Sequence, residues 1–485
     1  MQDSQSHKQA FWFTIINYIG IVIGLLSTLF LYPYDYGFYG EIAYIDSLAQ
    51  ILYPIMVFGG SQALIHFYPS LSLENKKSLF QFTIKTVFKL FIVLTVFLIL
   101  AVIIFDWDKK TYLYYAMPLA VLMALIEVFK RQAANLQKIA VPTFYEKIIP
   151  KIAMVVVFGI FYLGYVSDNV AYAVFIVFYL FLAFFVAKYV SRKFPISFAS
   201  KEDSFFSDVS KKEYFNYCFY SFLGSFGSFL AFRVDGLMIP EFLDFDANGA
   251  YRNAVNFAAA MAIPATGLFT IYSPQISAFI KNKDFETLQM KYTETAKLLF
   301  FIGAVILGCV LVGAEPFFNL LATKDKLVTI LPVIYILGAN VLFNMATGFN
   351  SEIISYSQYY KFNIIAVLIL VVVNVLLNYV FLTQTELEIV GVSLATFISL
   401  VLFNVSKLVF IYKKIGIIPF DRNYALLIIV MGIIIVTGVL LPSFKNLWLE
   451  TISKVGFVLI ASLIVVYFTQ SIPSFNYWVN RFLKN

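Results

Sequence analysis

Apolar runs of about 20 residues recur along this chain from end to end, a length that spans a bilayer as a helix. Few other architectures accept such a pattern, because backbone polar groups in lipid must be satisfied inside the same segment. The composition agrees, with 61% of residues hydrophobic and 13% charged among 485. Soluble domains hold about 25% charged residues. We read about fourteen spans and an all-α polytopic membrane protein. The formal charge of +7 does not point to nucleic acid, because the basic residues fall in short loops between spans. The two cysteines, Cys218 and Cys309, lie inside apolar runs and are not expected to form a disulfide. The first run, 11–32, is too long for a signal-peptide core and lacks a small-residue cleavage site, so it is expected to remain as a span.

Lysine and arginine set the orientation. With Lys8 in the cytoplasm, that side also receives Lys76, Lys77, Lys130, Arg131, Lys138, Arg192, Lys193, Lys201, Lys211, Lys212, Lys281, Lys283, Lys361, Lys413 and Lys414. The tail cations Arg481 and Lys484 fall there as well. The opposite loops are poorer in cations and hold Asp35, Asp106, Asp108, Glu241, Asp244 and Asp246. Both termini are therefore expected in the cytoplasm. Tyrosines such as Tyr32, Tyr34, Tyr36 and Tyr39 mark an interfacial belt. The largest loop, about 190–213, reads as a linker between halves.

An internal repeat supports two halves. At an offset of 212 residues, Gly37 matches Gly249, Tyr39 matches Tyr251, Ser61 matches Ser273 and Phe67 matches Phe279. Pro54 and Pro264 fall two residues out of register. Each copy is a span, a short acidic turn with Gly-x-Tyr, and a long span with an internal proline. The expected organisation is two pseudo-symmetric six-helix lobes, 1–200 and 201–413, followed by two C-terminal helices in 414–485.

With these residues in view, the chain resembles the polysaccharide and O-antigen flippases of the multidrug/oligosaccharidyl-lipid/polysaccharide exporter superfamily. The segment Tyr36-Gly37-Phe38-Tyr39 is similar to the family's first-to-second helix pattern. The stretch Asp235-x-x-Met238-Ile239, Leu243 and Gly249-Ala250-Tyr251-Arg252-Asn253-Ala254 is similar to its seventh-to-eighth helix pattern. The resemblance implies two lobes around a cavity that opens alternately to each side. Its cargo would be a polyprenyl-diphosphate-linked oligosaccharide in a bacterial inner membrane, and its partners membrane lipids and the polysaccharide polymerase machinery. The chain departs from relatives in its first span, 11–32, which has neither the acid of multidrug members nor the arginines expected of lipid II flippases; Asn17 is its strongest polar group. These departures favour the sugar-lipid branch.

Intramembrane charges are functional candidates. Arg233 either contacts the diphosphate through its guanidinium or snorkels to the interface. Asp235 continues the small polar stripe Ser221, Ser225, Ser228 and pairs with Arg252 across the turn, or serves transport. Asn374 and Asn378, four apart, share a helix face suited to sugar hydroxyls or to helix–helix hydrogen bonds. Asp46 and His66 are candidates for gating or coupling. Glu127 is expected to pair locally with Lys130 and Arg131, and Lys297, Glu315 and Glu352 read as interfacial. No Walker A, HExxH or CxxC motif occurs, and two histidines cannot build a multi-histidine metal site, so no cofactor, metal or ATP-driven activity is expected. The alternatives are a cation-coupled multidrug exporter, a membrane enzyme of envelope synthesis, and an assembly scaffold. Arg233 and Arg252 have Ile21 and Gly40 as partners at the offset of 212, so these cations belong to the second copy alone.

Overall fold

The computed structural model describes residues 19–105, 107–195, 204–470, 472 and 476. Asn17, Asp106, Lys8, Lys201, Arg481 and Lys484 lie outside the described residues. Every regular element among those described is helical. Among the described residues, 8 helices are long and apolar enough to cross a membrane, and up to 11 if each of 3 bent pairs counts as one span. Of the fourteen expected spans, three fall short of that test among the described residues. The helix Ile19–Tyr34 is short within the described residues. Ala140–Tyr162 carries Glu146, Lys147 and Lys151 in every 18-residue stretch. The last is split into Phe245–Met261 and Ile263–Lys281, the first only 17 residues long.

The described residues fall into two compact units. The first holds Asp35–Gly249 with the start of the first helix, and the second holds Thr28–Tyr34 and the chain from Ala250 onward. Unit one contains α1 (Ile19–Tyr34, its first part), α2 (Tyr36–Val57), α3 (Gly60–Phe67), α4 (Leu73–Ile104), α5 (Thr111–Asn135), α6 (Ala140–Tyr162), α7 (Asp168–Lys193), α8 (Lys211–Arg233), α9 (Asp235–Phe242) and the start of α10 (Phe245–Met261). Side-chain caps start several helices: Asp35 accepts from the Phe38 amide at 2.9 Å, and Ser72 accepts from Asn75 at 3.3 Å. Beyond Pro54 the α2 helix breaks at Phe58 and Gly59, both left-handed, and α3 leaves with a bend of 47°. Helices α5 and α7 pack at the centre, with α2 on α5, α6 on α7, and α8 on α2 and α3. The sequence reading counted Lys211–Arg233 as the opening helix of the second lobe; its packing partners are α2 and α3.

The second half of α4 touches little protein. Only 6% of its apolar stretch is buried, and Phe88, Ile92, Val96, Phe97, Leu100 and Ile103 are exposed. Such a surface is stable where lipid is the solvent. The chain is a multi-pass membrane protein.

Where α2 meets the start of α10, two glycines let the backbones touch. A Cβ on Gly40 would overlap the Phe245 carbonyl oxygen, and one on Gly249 would overlap that of Tyr36. The buried Asn248 amide donates to the Gly40 carbonyl at 2.8 Å. The two contacts interchange when Gly40 is exchanged for Gly249 and Tyr36 for Phe245, so the structural repeat runs at an offset of 209. The offset of 212 read from the sequence is off by one helical turn. Gly37 and Gly40 lie three apart on one face, and the Gly-x-Tyr match selected the wrong one. Arg233 then corresponds to Gly24 and Arg252 to Ala43, so both cations still lack a counterpart.

Unit two comprises α11 (Ile263–Lys281), α12 (Phe285–Phe318), α13 (Lys324–Thr329), α14 (Leu331–Ala346), α15 (Asn350–Tyr356), α16 (Tyr360–Gln384), α17 (Glu388–Ile415), α18 (Arg422–Leu440) and α19 (Leu447–Thr469), with the remainder of α10. The 34-residue α12 is its spine, packing on α11, α14, α18 and α19. Phe300, Phe301, Tyr424, Met431 and Val466 form a core where α12, α18 and α19 meet. Asp284, Asp421 and Asn446 cap α12, α18 and α19.

Candidate functional site

Helix α6 explains itself once its neighbours are placed. Its three charges face a cavity of about 720 Å³ inside unit one, walled by α2, α3, α5, α6, α7 and α8. Gln50, Tyr53 and Pro54 come from α2, Gln62 from α3, and Glu127, Lys130 and Arg131 from α5. Glu146, Lys147 and Lys151 come from α6, and Ser225, Ser228, Phe229 and Arg233 from α8. Intramembrane charge is tolerated where it lines a polar space rather than lipid.

The wall carries five cationic side chains and two carboxylates. The carboxylates are committed to a network at one end. Glu127 pairs with Arg131 at 2.6 Å and with Lys130 at 2.8 Å, and Lys130 also reaches Glu146 at 3.0 Å. The expected local pairing of Glu127 is therefore present. Lys147, Lys151 and Arg233 supply the other three cations of the wall. Lys151 owes part of its placement to α1, where Gly24 lies against its ammonium; a Cβ there would stand 3.2 Å from Nζ. Neutral hydrogen-bonding groups complete the wall. The Gln62 amide donates to Ser225 at 2.9 Å, and Tyr53 meets Phe229 edge to face with centroids 5.1 Å apart. A space of this size, with an aromatic side, hydroxyls, amides and excess positive charge, suits an anionic, hydroxyl-rich ligand.

The residues singled out from the sequence are distributed unevenly. Arg233 lines the cavity, at the end of α8 just before the break into α9. Asp235 is buried in the first turn of α9. Of its stripe, Ser225 and Ser228 reach the cavity. Asp46 is half-buried on α2 and accepts a hydrogen bond at 2.7 Å from Gln50, itself a wall residue. His66 is exposed on α3 and stacks on Tyr217 with centroids 4.2 Å apart. Arg252 is half-buried on α10 in unit two. Asn374 and Asn378 are buried on α16; Asn378 donates to Asn374 at 3.0 Å, and Asn374 donates to Thr396 of α17 at 3.3 Å. These amides join helices α16 and α17. Lys297, expected at an interface, is 8% exposed and pairs with Asp421 at 2.6 Å.

Lys147 and Lys151 are the wall residues that sequence reasoning missed. Their signal was present: two lysines four apart, hence on one face, inside an apolar run. Lys130 and Arg131 were read as orientation signals and as partners of Glu127, not as part of a binding wall.

Compared by sequence, the chain matches no protein-family model and no curated protein. Compared by structure, it is similar to the lipid II flippase MurJ in an inward closed conformation. The TM-score is 0.72 at 16% identity, covering 98% of this chain and 99% of that one. An inward-facing multidrug resistance MATE family transporter of the MOP superfamily matches with a TM-score of 0.62 at 14% identity, over 83% and 98% of the two chains. A MATE structure in complex with MaD3S matches at 0.55 and 14% identity, over 85% and 96%. This polytopic chain thus has the fold shared by the MurJ flippase and the MATE transporters of the MOP superfamily.

Proposed function

We propose that this protein is a flippase that carries a polyprenyl-diphosphate-linked oligosaccharide across a bacterial cytoplasmic membrane by alternating access, for surface polysaccharide synthesis. One observation carries the reading: the unit-one cavity, with five cations against two carboxylates in a membrane-embedded wall. A diphosphate brings negative charge that this surplus attracts, and the field is strong where water is scarce. Lys147, Lys151 and Arg233 hold the diphosphate. Gln50, Gln62, Ser225 and Ser228 meet sugar hydroxyls. The fold shared with a lipid II flippase and with MATE transporters supports transport rather than bond-making chemistry. A cationic drug would meet repulsion in the same cavity, which disfavours the multidrug alternative.

In this reading Lys130 and Arg131 mark the cytoplasmic end, where the lipid-linked sugar is loaded. Residues 1–200 and 201–413 act as the two lobes, followed by the helices of 414–485. Arg252, in unit two, is a separate candidate for phosphate contact. The polymerase that consumes the flipped sugar is the expected partner.

The test is translocation of a polyprenyl-diphosphate sugar in proteoliposomes by the double variant Lys151→Gln/Arg233→Gln. Charge-assisted hydrogen bonds are worth about 1.5–3 kcal/mol each, so a loss of roughly tenfold or more is expected at unchanged protein level. Full activity in that variant would overturn the phosphate assignment.

A further inference from the structure

Two lysines of α4, Lys85 and Lys89, stand apart from the cavity wall. They are four residues apart, so they share a helix face. Helix α4 has 32 residues, about 48 Å at 1.5 Å per residue, against a hydrocarbon core of about 30 Å. Lys85 lies about 28 Å from the Ile104 end, at the far edge of that core, and Lys89 one turn inside it. Both are half-buried. A lysine at this depth extends its ammonium to headgroup level while its stem stays on apolar surface.

The same face continues into lipid. Ile92, Val96, Leu100 and Ile103 follow the lysines at steps of three and four, and all four are exposed. Only 6% of the apolar stretch they belong to is buried. The face therefore offers positive charge where headgroups lie and bare aliphatic surface where their chains lie.

The lysine pair is bordered by the chain that leads into α8. Phe82, three residues before Lys85, meets Phe205 and Phe206 of the turn Ser204–Ser207 edge to face, with centroids 5.3 and 5.5 Å apart. Phe205 is fully buried, and its amide donates to Ser78 of α4 at 3.4 Å, which fixes the turn on α4. The Lys211 ammonium, at the start of α8, stands 5.3 Å from the centroid of the Phe206 ring. Lys85, Lys89 and Lys211 thus border one aromatic cluster. The acids of α4, the turn and the first turn of α8 are Glu74, Asp208, which accepts from Asn75 at 2.6 Å, and the exposed Glu213. Lys76, Lys77, Lys85, Lys89, Lys211 and Lys212 outnumber them.

We infer that Lys85, Lys89 and Lys211 form a binding site for an anionic phospholipid, with its phosphate among the three ammonium groups and an acyl chain along Ile92, Val96 and Leu100. Lysines at this level attract anionic headgroups, each adding to the attraction. A lipid held there bridges α4 and α8. The site is separate from the cavity and does not depend on what the cavity carries.

Native mass spectrometry of the full chain, titrated with phosphatidylglycerol or phosphatidylethanolamine of identical chains, tests the site. The wild type should retain phosphatidylglycerol in preference. Lys85→Gln/Lys89→Gln should weaken that retention about fivefold for each lysine removed, and Lys85→Arg/Lys89→Arg should keep it. Lys76→Gln/Lys77→Gln, which removes equal charge from the start of α4, should keep it as well. Equal retention of the two lipids by the wild type, or no loss in Lys85→Gln/Lys89→Gln, overturns the proposal. An equal loss in Lys76→Gln/Lys77→Gln also overturns it, since net charge alone would then hold the lipid. Displacement of phosphatidylglycerol by an equal concentration of inorganic phosphate would reveal a free-anion site and overturn the lipid assignment.

Discussion

Glu127 shows how one carboxylate organises a wall. Its side chain is 14% exposed and accepts from both Lys130 and Arg131. Replacing it leaves two cations with only Glu146 nearby, and breaking a buried pair costs about 3–5 kcal/mol. Glu127→Gln should lower the thermal unfolding temperature in detergent, and adding Lys130→Met should recover part of the loss. A variant as stable as the wild type would show the network to be solvated. This pairing was legible from sequence, because residues three and four apart on a helix are neighbours. The partnership of Lys130 with Glu146 was not, since sixteen residues and a turn separate them. Arg233 was legible as a rare intramembrane cation. Its membership of a cluster with Lys147 and Lys151 required knowing which faces of α6 and α8 meet.

At the scale of elements, the crossing of α2 with the start of α10 rests on absent side chains. Gly249→Val would press a branched side chain into the Tyr36 carbonyl, and overpacking typically costs about 1–3 kcal/mol. The expected result is a lower unfolding temperature and reduced translocation. Gly456 of α19 is the contrast, because a Cβ there meets nothing within 4 Å. Gly456→Ala should hold or gain stability, by up to about 1 kcal/mol from helix propensity. Equal effects at both positions would show that close approach is not the reason for glycine at 249. The breaks in α2–α3 and α14–α15 were only half visible. Pro54 announced the first; the second centres on Gly348, which has no proline beside it.

For the whole molecule, the Lys and Arg distribution predicts both termini on the cytoplasmic side. A C-terminal alkaline phosphatase fusion should be inactive and a C-terminal fluorescent fusion bright; the reverse pattern would invert the orientation and with it the direction of loading. The polytopic helical fold class and the existence of a repeat came from the sequence alone, because membrane insertion is governed by local length, hydropathy and charge, all one-dimensional quantities. Register and site were decided by tertiary structure. A degenerate Gly-x-Tyr match tolerates a slip of one helical turn, which the contact of Gly40 with Phe245 and of Gly249 with Tyr36 removes. Likewise Arg233 is far along the chain from Lys147 and Lys151 and reads as an isolated charge. Only the packing of α5, α6 and α8 around one space turns them into a cationic wall, because an electrostatic field sums over distance in space and not along sequence.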